Sequence, residues 1–148
     1  MNSRDIVQIA LIAALYMAVT LIFYPISFHV VQIRVSEALT VLPFLFPNAI
    51  PGLTIGVFLA NFVGGFGLVD MVFGSLATLI AALMTSRMPS PYLAPLPPVI
   101  VNALIVGGYL SVLTGMPLWV SILHVGGGQL ISCYVLGLPL LYGLQKIK

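Results

Sequence analysis

Glu37, Asn61, Asp70, Asn102, His124 and Gln129 carry hydrogen-bonding side chains inside stretches that are otherwise almost wholly apolar, and Arg34 stands three residues before Glu37. Only 5% of the chain is charged. An ionisable group within hydrocarbon is expensive, so its default reading is a polar site. Carboxylates accept hydrogen bonds, a guanidinium donates them, and amides do both. Together they suit recognition of a polar solute rather than bond-breaking. The chain has no G-x-x-x-x-G-K-[ST], no H-E-x-x-H and no G-x-S-x-G, so neither P-loop ATP hydrolysis nor zincin or serine-hydrolase chemistry is expected. Two histidines and one cysteine make a poor metal site. No catalytic residue, metal or cofactor is expected.

Each residue also has a plainer reading. Glu37 can pair with Arg34 at a helix start. Asp70 follows a Gly-rich turn and can cap a helix. Asn61 and Asn102 can bond between helices, and His124 can be a packing histidine. Trp119 and Tyr109 fit an interfacial aromatic belt, or stacking on a flat ring, as Phe28 also does.

The elements that must position these groups read as membrane helices. Apolar residues make up 61% of the chain and the mean hydropathy is +1.20, well above a soluble domain. Residues 1–148 read as one integral membrane domain, with the first segment a retained helix rather than a signal peptide. The lone Cys133 excludes a disulfide within the chain. Arg4, Arg87, Lys146 and Lys148 fall at the ends of apolar stretches, so the net charge of +2 marks membrane topology, and no nucleic-acid partner is expected.

Six segments follow, at about Arg4–Phe23, Ser36–Pro47, Pro51–Val63, Leu68–Thr85, Pro98–Leu113 and Leu118–Gln145. Tyr24–Arg34 reads as an extended loop or hairpin, Met88–Pro98 as a Pro-rich linker, and Pro139 as a kink. The second and third segments are short, roughly 17–20 Å against a ~30 Å hydrocarbon core, and need shielding by neighbours. The expected fold is an all-α membrane protein, a bundle of six transmembrane helices with helices two and three short. Six crossings put Arg4, Arg87, Lys146 and Lys148 inside, as positive charge prefers, and both termini in the cytoplasm. The acids and amides then share the outer half of the bundle, as a cavity open to the outside requires. Ala10, Ala14 and Ala18 form a small-residue stripe on helix one, suited either to packing within the bundle or to docking a partner membrane protein.

Four ordered runs carry a resemblance: IRVSEALTVLPFLFPNAIPG (Ile33 to Gly52), ANFVGGFGLVDMVFGSLATLIAA (Ala60 to Ala82), LPPVIVNALIVG (Leu96 to Gly107) and CYVLGLPLL (Cys133 to Leu141). Together they resemble the QueT family of substrate-binding S components of energy-coupling factor (ECF) transporters. The resemblance implies a six-helix bundle in the bacterial plasma membrane that binds a 7-deazaguanine queuosine precursor such as preQ1, preQ0 or queuine. It implies a transmembrane coupling protein and two ATPase subunits as partners, with Ala10, Ala14 and Ala18 facing the coupling protein. It implies that the outer connections Tyr24–Val35, Gly64–Gly67 and Thr114–Pro117 close over ligand. The family pattern has Glu where this chain has Gln129, and losing that charge shifts the expectation toward a neutral ligand.

A 7-deazaguanine offers a ring N–H beside an exocyclic amine, a donor pair that one carboxylate can accept. That role is expected of Glu37, or failing it Asp70, with Asn61, Asn102, Gln129, His124 and Arg34 completing the site. The competing expectations are a stand-alone transporter or channel for a small polar solute, and a structural subunit whose polar residues only join helices.

Overall fold

Helix α1 (Ser3–Ile22) begins with a reciprocal cap: the Asn2 side chain accepts from the Asp5 amide and the Asp5 carboxylate accepts from the Asn2 amide, which satisfies two otherwise orphaned donors. One face of α1, with Ile12, Ala13, Tyr16 and Thr20, is buried against helix α3 (Ala49–Gly64). The two backbones touch: a Cβ added at Gly56 would lie 3.0 Å from the Ala13 carbonyl oxygen and from Tyr16 Cβ. The computed structural model describes residues 1–27 and 33–148. Phe28 and the rest of the middle of the expected loop, residues 28–32, fall outside them. Tyr24–Ser27 is one helical turn rather than extended chain, because the Ser27 hydroxyl bonds back to the Thr20 carbonyl at 3.0 Å.

Helix α2 (Val35–Phe44) is wound as a 3₁₀ helix over ten residues, with Pro43 inside it. At ~2.0 Å per residue this winding spans about 20 Å, where an α-helix of equal length spans about 15 Å. Ser36 through Pro43 are buried, and the helix packs against α1, helix α4 (Asp70–Thr85) and helix α6 (Leu118–Ile147). The expected shielding of a short helix is therefore met.

Two further elements differ from the sequence reading. Helix α5 (Leu96–Thr114) takes Pro97 and Pro98 into its first turn, where missing amides cost nothing, so the Pro-rich segment is partly helix. In α6 the expected disturbance at Pro139 sits just upstream, as a π-helical stretch over Ile131–Gly137. The wider turn makes room for the proline ring.

Among the described residues the chain is all-helical. Its α1, the span Pro91–Thr114 that includes α5, and α6 are each long and apolar enough to cross a membrane, while α2, α3 and α4 are shorter apolar helices. The apolar core falls into two main clusters. Ile12, Leu39, Leu53 and Val57 knit α1 to α2 and α3, while Ala77, Ala81, Val101, Leu110 and Val125 knit α4 to α5 and α6. Large apolar side chains face outward all round: Leu11 is 64% exposed, Phe62 69%, Leu104 59% and Leu123 63%. Such a surface suits lipid and not water.

Both termini share one end. The Asn48 amide between α2 and α3 donates to the Asp5 carboxylate at 2.9 Å and to the Gln8 side chain at 2.8 Å. The Lys148 ammonium donates to the Leu45 carbonyl. The last turn of α1, the start of α2 and the α3–α4 and α5–α6 connections therefore lie at the opposite, far end.

Candidate functional site

Between the two core clusters, toward the far end, lies a narrow polar hollow. Arg34 and Glu37 reach it from the start of α2, and Val57 and Asn61, one turn apart, from α3. Asp70, Gly74 and Thr78 line it at one-turn intervals on α4. On α5, Asn102, Val106 and Tyr109 have the i, i+4, i+7 spacing of one helix face and also line it, while α6 contributes Gln129. The cavity is about 10 Å³, room for about one water molecule.

The two acids are held by tyrosines from different helices. The Tyr16 hydroxyl on α1 donates to Glu37 Oε1. The Tyr109 hydroxyl on α5 donates to Asp70 Oδ1, and Asp70 Oδ2 accepts from the Phe66 amide at 3.1 Å. Both Asp70 oxygens are thus engaged, and one of them ties down the far-end connection before α4. Glu37 differs: its Oε2 is buried without a well-aligned hydrogen bond, with the Gln129 amide and the Arg34 guanidinium its near neighbours, and the residue is only 3% exposed. An unpaired buried acceptor costs about 1–3 kcal/mol, so this oxygen is poised to accept a donor. The Arg34 guanidinium lies within Coulombic reach of both carboxylates and of Tyr16, and its Nε donates to the Ser27 carbonyl at 3.5 Å.

The amides are tied in as well. Asn61 Nδ2 donates to the Asp70 carbonyl at 3.0 Å. Asn102 Nδ2 donates to Gln129 Oε1 at 3.2 Å, joining α5 to α6. The amides therefore act as interhelical glue and line the hollow at once. Cys133 Sγ, in the π-helical stretch, sits 3.5 Å from Gln129 Oε1 and 3.6 Å from the Glu37 carbonyl oxygen. It anchors α6 to the start of α2.

Six of the seven residues expected from sequence, Arg34, Glu37, Asn61, Asp70, Asn102 and Gln129, come together around this one hollow. His124 does not line it; its partly exposed ring keeps a buried Nδ1 without a partner. Asp70 departs from the capping reading: its carboxylate accepts from the Phe66 amide, four residues before it, and not from an amide of its own helix. Tyr109 departs from the belt reading, since it is bonded into the hollow. Trp119, 67% exposed, fits a belt. Sequence reasoning missed Tyr16 and Thr78. The signal for Tyr16 was Thr20 one turn on, two polar groups on the face of α1 away from the alanine stripe.

That stripe is outward-facing. Ala10, Ala14 and Ala18 are exposed, which excludes packing within the bundle as their role. Ala10 and Ala14 line an open groove of about 630 Å³ with Met17 on α1 and Pro51, Ile55 and Leu59 on α3.

An outward apolar shell, helices long and apolar enough to cross a bilayer and a secluded polar hollow mark a helical membrane protein. Comparison with known proteins makes this specific. The chain belongs to the QueT transporter family, whose model matches residues 6–146. Over 81 residues it is 41% identical to the queuosine precursor transporter QueT of Lactococcus lactis subsp. cremoris (strain MG1363), an alignment covering 53% of this chain and 47% of that one. The match spans about half the length of that curated relative. No solved structure matches the chain.

Proposed function

We propose that this chain is the membrane-embedded substrate-capture subunit of an ECF-type importer. In this reading its six helices cross a bacterial plasma membrane with both termini in the cytoplasm, and the far end faces outside. The hollow captures a queuosine precursor, a 7-deazaguanine such as preQ1, preQ0 or queuine. The loaded bundle then docks on a transmembrane coupling protein, and two ATPase subunits drive release inside.

The observation that carries this reading is the convergence of the chain's scarce acids and amides on one hollow at the end away from both termini. Family membership supports transport, and the Lactococcus relative's name supports the substrate class. Glu37 Oε2 offers a buried acceptor to the ring N–H or exocyclic amine. Arg34 offers donors to a carbonyl or ring nitrogen, while Asn102 and Gln129 border the rest. A fused bicycle is wider than the hollow, so capture requires the walls to part. The exposed alanine stripe beside an apolar groove favours a docked partner over a stand-alone carrier, because small residues let helices pack closely in lipid.

The test is calorimetric titration of the purified protein with preQ1, preQ0 and queuine, repeated on Glu37→Ala. At least one compound should bind. The variant should lose about 2–5 kcal/mol of that affinity, the range for truncating one partner of a buried charged hydrogen bond. Equal affinity in wild type and variant for every compound that binds removes Glu37 from the site. No binding by the wild-type protein removes the substrate class.

A further inference from the structure

Four buried side-chain atoms in the described residues have no hydrogen-bond partner: Glu37 Oε2, Asn61 Oδ1, His124 Nδ1 and Ser132 Oγ. Two of them, Glu37 Oε2 and Asn61 Oδ1, belong to residues of the same hollow. Buried polar atoms are normally paired; Glu37 Oε2 forms no well-aligned bond although the Gln129 amide and the Arg34 guanidinium lie near its carboxylate, and Asn61 Oδ1 has no donor at all, so two acceptors in one place stand ready for a ligand's donors.

The orientation of Asn61 follows from its surroundings. Its other amide atom faces the Asp70 carbonyl at 3.0 Å. Turning the amide over would set oxygen against oxygen there, so nitrogen must hold that position. The amide also lies against bare backbone: a Cβ added at Gly74 would come within 2.7 Å of Asn61 Nδ2. Asn61 is 1% exposed. It is a fixed acceptor, locked by its own donor.

Glu37, by contrast, has one oxygen engaged by Tyr16. An exocyclic amine on a planar heterocycle carries two N–H bonds, and a carboxylate beside the ring edge takes one of them. The second N–H, once buried, needs another acceptor. The geometry points to Asn61 Oδ1 as that acceptor: Glu37 and Asn61, from α2 and α3, divide the two hydrogens of the ligand's exocyclic amine. Asn61 is then a specificity-determining residue that separates amino from substituted-amino heterocycles. This inference rests on the capture of an aminated 7-deazaguanine proposed above.

A pair of ligands isolates it. Monomethylation of the exocyclic amine of preQ0 keeps one N–H for Glu37 and removes the other. Wild-type protein should bind preQ0 at least about tenfold more tightly than its N-methyl analogue. In Asn61→Ala the same ratio should fall close to one, because neither the acceptor nor the side chain that crowds the methyl remains. Should that variant fail to fold, Asn61→Ser serves, since its hydroxyl can still donate toward the Asp70 carbonyl while the acceptor is withdrawn. A wild-type ratio near one overturns the role of Asn61 whatever the variants do. So does an undiminished ratio in the folded variant. If wild-type protein binds no aminated 7-deazaguanine at all, it is the proposed substrate class that falls.

Discussion

The two acids of the hollow should respond to mutation in opposite ways, and Asp70 gives the sharper test. Its carboxylate accepts from the Tyr109 hydroxyl and from the Phe66 amide at 3.1 Å, so Asp70→Ala strips the partner from two donors at once. A hydrogen bond to a charged group contributes about 1.5–3 kcal/mol, which puts the loss at roughly 3–6 kcal/mol. On the scale of soluble chains of this length, where 1 kcal/mol moves the midpoint by about 2–4 °C, the unfolding midpoint should fall by roughly 6–24 °C. Thermal unfolding of the purified protein in detergent reads it. Tyr109→Phe removes only one of the two bonds and should cost about half as much. Combined with Asp70→Ala it should add little, leaving a coupling of about 1–3 kcal/mol in a double-mutant cycle. Asp70→Asn keeps an oxygen for Phe66 and should lie between. Wild-type thermal stability in Asp70→Ala together with lost ligand binding would refute the reasoning, because it would make Asp70 a ligand group and not an anchor.

Three further substitutions probe the helix surfaces. Ala14→Trp should abolish uptake in cells carrying the coupling protein and ATPases while titrations of the purified variant remain as in wild type; surviving uptake moves the docking face elsewhere. Gly56→Val should cost about 1–3 kcal/mol by forcing α1 off α3, since even a Cβ there lies 3.0 Å from the Ala13 carbonyl oxygen. Gly127→Ala, with no heavy atom within 4 Å of the new Cβ, should instead raise the unfolding midpoint, because alanine suits a helix interior better than glycine; equal effects at the two positions would count against the packing.

What the sequence revealed and what it hid divide along physical lines. Glu37, Asn61, Asp70, Asn102 and Gln129 stand out because acids and amides are scarce in an apolar chain, and alternating helix direction brings them to one end. Tyr16 does not stand out. An aromatic ring in an apolar helix looks like packing, and only its hydroxyl, bonded to Glu37, gives it a polar role. Tyr109 was hidden by its place near a helix end, where a belt is the usual use. Helix winding was the least legible. Pro43 hinted that α2 is irregular, but nothing in VSEALTVLPF distinguishes 3₁₀ from α, since both put apolar residues on a similar stripe over so short a run. Pro97 and Pro98 read as a linker because proline is a breaker everywhere except in the first turn that α5 gives them.

The winding of α2 has a mechanical corollary. A 3₁₀ segment advances about 120° and 2.0 Å per residue, an α-helix about 100° and 1.5 Å. Rewinding these ten residues would shorten the rod by about 5 Å and screw one tip half a revolution against the other. The Glu37 carboxylate, riding at the tip beside the hollow, would be drawn away from Tyr16 as a bolt is withdrawn from its keeper.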